Sequence, residues 1–145
     1  MRKTLKTNSK TLSKEEKADL EDHPYMLSEL IDQFDFFANE KSILLYHREY
    51  FDGTGYPGGL KESEIPLGAR LFAIANAIAT MLSDQPERKR LSPEDVITEL
   101  ADYAGKKFDP MMVSLYFDII EKQNLLPLSE GFLKKAMQKV DKLKE

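Results

Sequence analysis

The sequence predicts an all-α protein, and three observations carry that prediction. Apolar residues recur at helical spacing along most of the chain, cap signals stand where the periodic stretches begin, and no run shows the strict two-residue alternation of a half-buried strand. At 145 residues the chain suits one domain, large enough to bury roughly two-thirds of its unfolded surface. We read residues 1–145 as that domain, with about six to seven helices, no internal repeat and no linker.

Taken in order, Ser13-Lys14-Glu15-Glu16 is a capping box: the serine hydroxyl accepts an orphan backbone N–H and Glu16 reaches back to the cap. The helix it opens is expected to stop near Asp22, because His23 precedes Pro24 and is pushed out of the α region. Pro24 suits the first turn of a second helix carrying Met26, Leu27, Leu30, Ile31 and Phe34. A third, about Asn39–Phe51, aligns Ile43, Leu44, His47 and Phe51 on one side. Pro66 opens a long fourth helix through about Leu82, with Leu67, Leu71, Ile74, Ile78 and Met81 expected to be buried. Ser92 caps a fifth and Gly105 is its C′ residue; Asp109-Pro110 starts a sixth. Ser129 is read as the cap of a last helix, about 129–144. Phe132, Leu133, Ala136, Met137, Val140 and Leu143 form its apolar stripe, with lysines opposite, and the stripe reads as packed core.

Composition removes several classes of function. With 41% hydrophobic and 32% charged residues the chain is too apolar to be disordered. A net charge of −4 argues against a nucleic-acid partner, whose binding rests on a basic surface. No cysteine is present, so disulfides and thiolate metal sites are excluded. No apolar h-region follows the basic N-terminus, and the stretch around Leu71–Leu82 is too short to span a bilayer, so we expect no membrane partner and a cytoplasmic location.

The helical pattern breaks at Asp52-Gly53-Thr54-Gly55-Tyr56-Pro57-Gly58-Gly59, which holds four of the seven glycines. It is a loop of unusual backbone geometry. No Lys-Ser/Thr follows its last glycine into a helix and no strand precedes it, which excludes a P-loop and a dinucleotide-binding turn.

The stretch His47-Arg48-Glu49-Tyr50-Phe51-Asp52-Gly53-Thr54-Gly55-Tyr56-Pro57-Gly58-Gly59-Leu60 resembles the HH-E-x-x-DG-x-GYP-x-GL signature of HD-GYP domains, the bacterial cyclic di-GMP phosphodiesterases of the HD superfamily. Leu12–Glu16, His23-Pro24, Glu64–Leu67, Arg70–Asn76, Ser83–Pro86, Leu91–Glu94 and Phe108–Pro110 extend the resemblance over residues 12–120. The family's hydrolytic site binds two or three metal ions through histidines and aspartates, including a His-Asp pair upstream of the segment matched by Leu12–Glu16. Only Met1–Thr11 stands before that segment, and no His-Asp dipeptide occurs in the sequence, so the resemblance implies a domain truncated at its N-terminus and degenerate. His23 and His47 fall on ligand positions. The second histidine of the signature is Arg48, the later aspartate ligand is Asn76, and the aspartate three residues beyond is Ala79. Asparagine supplies an oxygen without charge, and a guanidinium cannot be deprotonated to become a ligand. Held ~4 Å from a divalent ion at an effective dielectric near 20, it would be repelled by about 8 kcal/mol.

These departures set the expectations for the site. We expect no catalytic residue and no cofactor. His23 and His47 are either hydrogen-bonded structural residues or a vestigial, weak site for a divalent transition metal, assisted by Glu49 or Asp52. The loop residues Asp52, Gly53, Gly55, Tyr56, Pro57 and Lys61 are the candidate ligand or partner surface, because in the family this loop lies near the cyclic di-GMP site and is implicated in contacts with GGDEF-type signalling proteins. Tyr56 is expected at the surface. Arg70, Arg88 and Arg90, with Lys89, are phosphate-contact candidates or a solvated patch. Three functions stay open: a regulatory or protein-interaction module in cyclic di-GMP signalling, a phosphodiesterase fragment needing a His-Asp half from elsewhere, and a noncatalytic cyclic di-GMP sensor. Leu44, Leu45, Phe72 and Ile78 are apolar enough to need a cover, and a homodimer is the expected one.

Overall fold

The computed structural model describes residues 13–31, 40–86, 88–129 and 131–144. Among these residues it is helical, with α1 (Lys14–Ile31), α2 (Lys41–Tyr46), α3 (Leu67–Met81), α4 (Pro93–Tyr103), α5 (Pro110–Gln123) and α6 (Phe132–Asp141). Two isolated bridges, Gln85 with Arg88 and Ala104 with Phe108, are the only β-type pairings among the described residues. α1 packs on α2, α2 on α3, α3 on α5, and α6 on both α4 and α5.

The core sits where α3, α4, α5 and α6 meet. Val96, Ile97, Leu100, Val113, Phe117 and Val140 are fully enclosed there, with Ile74 and Met81 reaching in from α3. Three of the expected caps stand where the sequence places them. Ser92 Oγ accepts from the Asp95 N–H at 3.1 Å, and Gly105 takes the left-handed conformation (φ +78°) just past α4. Asp109 Oδ1 accepts from the Met111 N–H at 2.8 Å, with Pro110 in the first turn of α5. α3 spans almost the expected range, with Pro66 as its N-cap residue.

Five expectations are corrected. α1 does not break at His23-Pro24 but continues to Ile31 with Pro24 inside it. The proline ring is fully buried and Ser28, one turn on, is buried with it, so packing of this inner face overrides the break that local preference predicts. The helix expected to reach Phe51 ends at Tyr46, for a reason that lies in the following loop. Leu67 and Leu71 on α3 are 59% and 55% exposed rather than buried, because α3 turns Ala69 and Ile74 to the core instead. Ser129 does not cap α6. Its hydroxyl and its N–H both donate to Glu94 Oε1 on α4, and Gly131, at φ +76°, precedes the helix. Leu143 is half exposed, off the buried stripe of Leu133 and Val140. Phe34 and the expected start at Asn39 lie outside the described residues.

One buried ion pair joins two helix starts. Arg70 Nη1 on α3 donates to Asp109 Oδ2 at 2.6 Å, and its Nε donates to the Ile65 carbonyl at 3.0 Å. Asp109 is 3% exposed, and it serves the pair and the α5 cap at once. Replacing one member of such a pair strands the other charge, so Asp109→Ala is expected to cost about 3 kcal/mol or more in urea denaturation. Asp109→Asn, which keeps a capping oxygen, should cost less. A loss below about 1 kcal/mol for Asp109→Ala would show that the pair does not hold α3 to α5.

Candidate functional site

The site is built by the segment between α2 and α3. Its organising group is Glu49, which is 3% exposed. Glu49 Oε1 accepts the Gly58 N–H and Oε2 accepts the Leu60 N–H at 3.1 Å. To place that carboxylate inside the loop the backbone must leave the helix, and the Arg48 carbonyl accepts from the Tyr56 N–H at 3.3 Å instead of from a helical partner. This is why α2 stops at Tyr46. The returning strand of the loop passes so close that a Cβ at Gly55 would lie 2.2 Å from the Tyr50 nitrogen and 2.6 Å from the Arg48 oxygen, which only glycine allows. Asp52 Oδ1 accepts from the N–H and the hydroxyl of Thr54, at 2.9 and 2.6 Å, and these bonds hold its carboxyl below the usual carboxylate range. The N–H groups of Phe51 and Asp52 donate to the carbonyls of Lys107 and Lys106, docking the loop on the turn between α4 and α5.

Beside this loop lies an open cleft of about 270 Å³. His47, Arg48, Glu49 and Tyr50 form one wall, Asn76 and Thr80 of α3 a second, and Glu99, Tyr103 and Lys107 a third. His47 Nδ1 lies 2.7 Å from the Leu44 carbonyl, which can only accept, so the proton of the neutral ring sits on Nδ1 and the Nε2 lone pair is left over. The ring meets Phe72 edge to face at 5.6 Å. Burial pushes the His47 pKa below 6.5; the Leu44 bond opposes this, and the charges of Arg48 and His23 add to the lowering. Lys107 Nζ stands 4.5 Å from the centre of the Tyr103 ring and 5.3 Å from that of Tyr50. Among the described residues neither Lys107 nor Arg48 makes an ion pair.

The structure therefore places His47, Arg48 and Asn76 around one cleft, with His23, exposed on α1, near enough for its charge to act on His47. A metal centre of the family's kind does not fit this donor set. Arg48 stands where the resemblance implies a ligand, both oxygens of Glu49 and Oδ1 of Asp52 are engaged by the loop, and no three His, Cys, Asp or Glu side chains gather into a metal-holding group among the described residues. Nor does any buried side-chain nitrogen or oxygen there lack a partner. The loop candidates Gly53, Gly55 and Pro57 are half-buried and Lys61 is exposed. Tyr56 is half-buried rather than fully at the surface, and it has a partner. Arg70 is not available for phosphate, because Asp109 and Ile65 hold its guanidinium. Arg88 and Arg90 are exposed on the turn after α3, where Arg88 donates to the Thr80 and Lys89 carbonyls. Sequence reasoning passed over Tyr50, Tyr103 and Lys107. The signal lay in Lys106-Lys107 directly before the recognised Phe108-Asp109-Pro110.

A family model described as HD domain matches residues 3–112. A probable cyclic di-GMP phosphodiesterase of Vibrio cholerae is 35% identical over 92 residues, which is 63% of this chain and 20% of that protein. A cyclic di-GMP phosphodiesterase of Thermotoga maritima is 35% identical over 77 residues, 53% of this chain and 21% of that protein. The cyclic di-GMP phosphodiesterase response regulator RpfG of Xanthomonas campestris is 34% identical over 104 residues, 70% of this chain and 28% of that protein. The chain thus spans from about a fifth to somewhat more than a quarter of the length of these curated relatives. No helix among the described residues is long and apolar enough to cross a membrane.

Two expectations follow from the geometry. Glu49→Gln sets an NH₂ against one of the two loop amides, so Gly58 and Leu60 should lose hydrogen-exchange protection, with a stability loss of about 2 kcal/mol. Unchanged protection would remove Glu49 from its organising role. His47 should titrate below pH 6.5 by NMR, and Arg48→Ala should raise its midpoint. Because the folded state then binds the proton later than the unfolded chain, this residue's contribution is intact above pH 6.5 and is lost as the pH falls through the depressed value.

Proposed function

The chain belongs to the HD domain family as an HD-GYP-like member, and from that premise we propose that it is a non-hydrolytic regulatory module of cyclic di-GMP signalling, acting in the cytoplasm. One observation carries the reading. The glycine-rich loop is fully built, clamped by Glu49 and docked on the α4–α5 turn, while the cleft beside it presents Arg48 and Asn76 where a metal centre needs a neutral donor and an anion. The relatives are named as cyclic di-GMP phosphodiesterases, which supports the signalling context. On this reading residues 1–145 form one domain. The loop from Asp52 to Lys61, with its half-buried Tyr56, is the surface offered to a signalling protein such as a GGDEF-type partner.

The measurement is metal content together with turnover. The purified chain should carry well under one equivalent of transition metal and should not hydrolyse cyclic di-GMP with added manganese or iron. Two stoichiometric metals, or turnover abolished by His47→Ala, would establish the enzyme instead. We also propose that two copies associate. Of the residues expected to need a cover, Phe72 is 40% exposed and Leu44, Leu45 and Ile78 are half-buried, while Leu67 and Leu71 on α3 and Met111, Leu115 and Ile119 on α5 are 39% to 65% exposed, which supports the association. Sedimentation at micromolar concentration should give a dimer, and a clean monomer would refute it.

A further inference from the structure

We infer that two copies pair antiparallel along the outer face of α3, with Ala75 of each on the two-fold axis. The inference rests on the association proposed above and names its face and its register. Charge is the first ground. The chain is 32% charged, yet between Pro66 and Ser83 the one charged residue is Arg70, and Asp109 holds its guanidinium. Two copies of a chain of net charge −4 repel, and an uncharged face is one that they can join without desolvating an ion. The exposed stripe on α5 is less suited, because Met111, Leu115 and Ile119 run beside Asp118 and into Glu121 and Lys122.

The order of residues along α3 is the second ground. Leu71, Ala75 and Ala79 stand at i, i+4 and i+8, and all three are exposed. Such a row forms a ridge, and two ridges of this kind interdigitate at a crossing angle of about −50°. Turned antiparallel about Ala75, the row is its own complement: Leu71 of each copy lies over Ala79 of the other, a large side chain against a small one. Ala75 at the crossing lets the backbones come close. Leu67 and Phe72, 59% and 40% exposed, flank the row. With Asn76 and Thr80 they complete a face of about 500 Å² per copy, half of the roughly 1,000 Å² total that a specific interface needs. Asn76 and Thr80 belong both to this face and to the cleft. The partner's α3 therefore borders the cleft, and each cleft of the pair is bounded by both chains.

The test uses the full chain, whose lack of cysteine makes cross-linking specific. Ala75→Cys, mildly oxidised, should run as a covalent dimer on non-reducing electrophoresis, because a disulfide forms where Cα atoms come within about 7 Å. Leu115→Cys should not. In sedimentation, Leu71→Glu should raise the dimer dissociation constant about tenfold or more, whereas Met111→Glu should match the parent. Leu71→Ala should weaken the dimer, and Leu71→Ala combined with Ala79→Leu, which exchanges large and small across the axis, should restore it. Circular dichroism confirms that each variant keeps the parent's helical signal, and if Leu71→Glu does not, Ala79→Glu takes its place. A dimer that cross-links through Leu115→Cys and not through Ala75→Cys, or that survives the glutamate on α3, would overturn the inference and leave the association standing. A parent chain that sediments as a monomer would overturn both.

Discussion

A carboxylate buried among loop amides sets most of this structure. Withdrawing Glu49 from water is costly unless its oxygens are met, and here two backbone N–H groups of the loop meet them. Several features follow from that one arrangement. The chain must leave α2 at Tyr46 to bring Glu49 inward, and Arg48 must give its carbonyl to Tyr56. Gly55 must be glycine because the loop closes directly onto the Arg48–Tyr50 backbone. Once closed, the loop lays Phe51 and Asp52 on the carbonyls of Lys107 and Lys106, which fixes the turn that leads to Asp109. Asp109 in turn holds Arg70, so the start of α3 is tied to the start of α5.

The same arrangement separates two kinds of chemistry within two adjacent residues. Glu49 faces the loop and is spent on structure. Arg48 faces the open cleft and brings a charge that no change of pH within the stable range removes. A cluster of divalent cations needs anionic donors to offset their mutual repulsion, and this cleft offers a fixed cation and an uncharged amide at the corresponding places. Among the described residues the cleft thus pairs a rigid loop with a fixed cation and a neutral amide rather than with free carboxylates.

Much of the fold was legible in the sequence because its signals are local. Ser92 with Asp95, Asp109 with Pro110, and Gly105 past α4 are caps whose geometry depends on residues within one turn, and each stands where the spacing put it. The misreadings share an opposite cause. Pro24 stays inside α1 because its ring is buried, and α2 ends early because of a carboxylate engaged nine and eleven residues downstream. Ser129 was read as a cap, but Glu94, thirty-five residues away, takes its hydroxyl. The site divides in the same way. The glycine loop and Arg48 stood in one contiguous signature, whereas Lys107 and Tyr103 join the cleft only through tertiary folding. Arg70 read as a free cation because its partner is thirty-nine residues distant.

The continuity of backbone between cleft and loop has a mechanical consequence. The Arg48 carbonyl bonds the Tyr56 N–H, and the Lys107 carbonyl accepts the Phe51 N–H, so both cations of the cleft are fastened through their own main chain to the loop. Any displacement that draws the two side chains together acts on residues whose carbonyls already bear the loop. Either it leaves those hydrogen bonds in place and stiffens the loop, or it shifts them and the loop must move too. Coupling between sites requires two arrangements whose balance the ligand biases. Here the elements that would have to differ are few: the clamp at Glu49, the close approach at Gly55 and the docking on the α4–α5 turn. That short connection ties the backbone of Arg48 and Lys107, which line the cleft, to the segment that carries Tyr56.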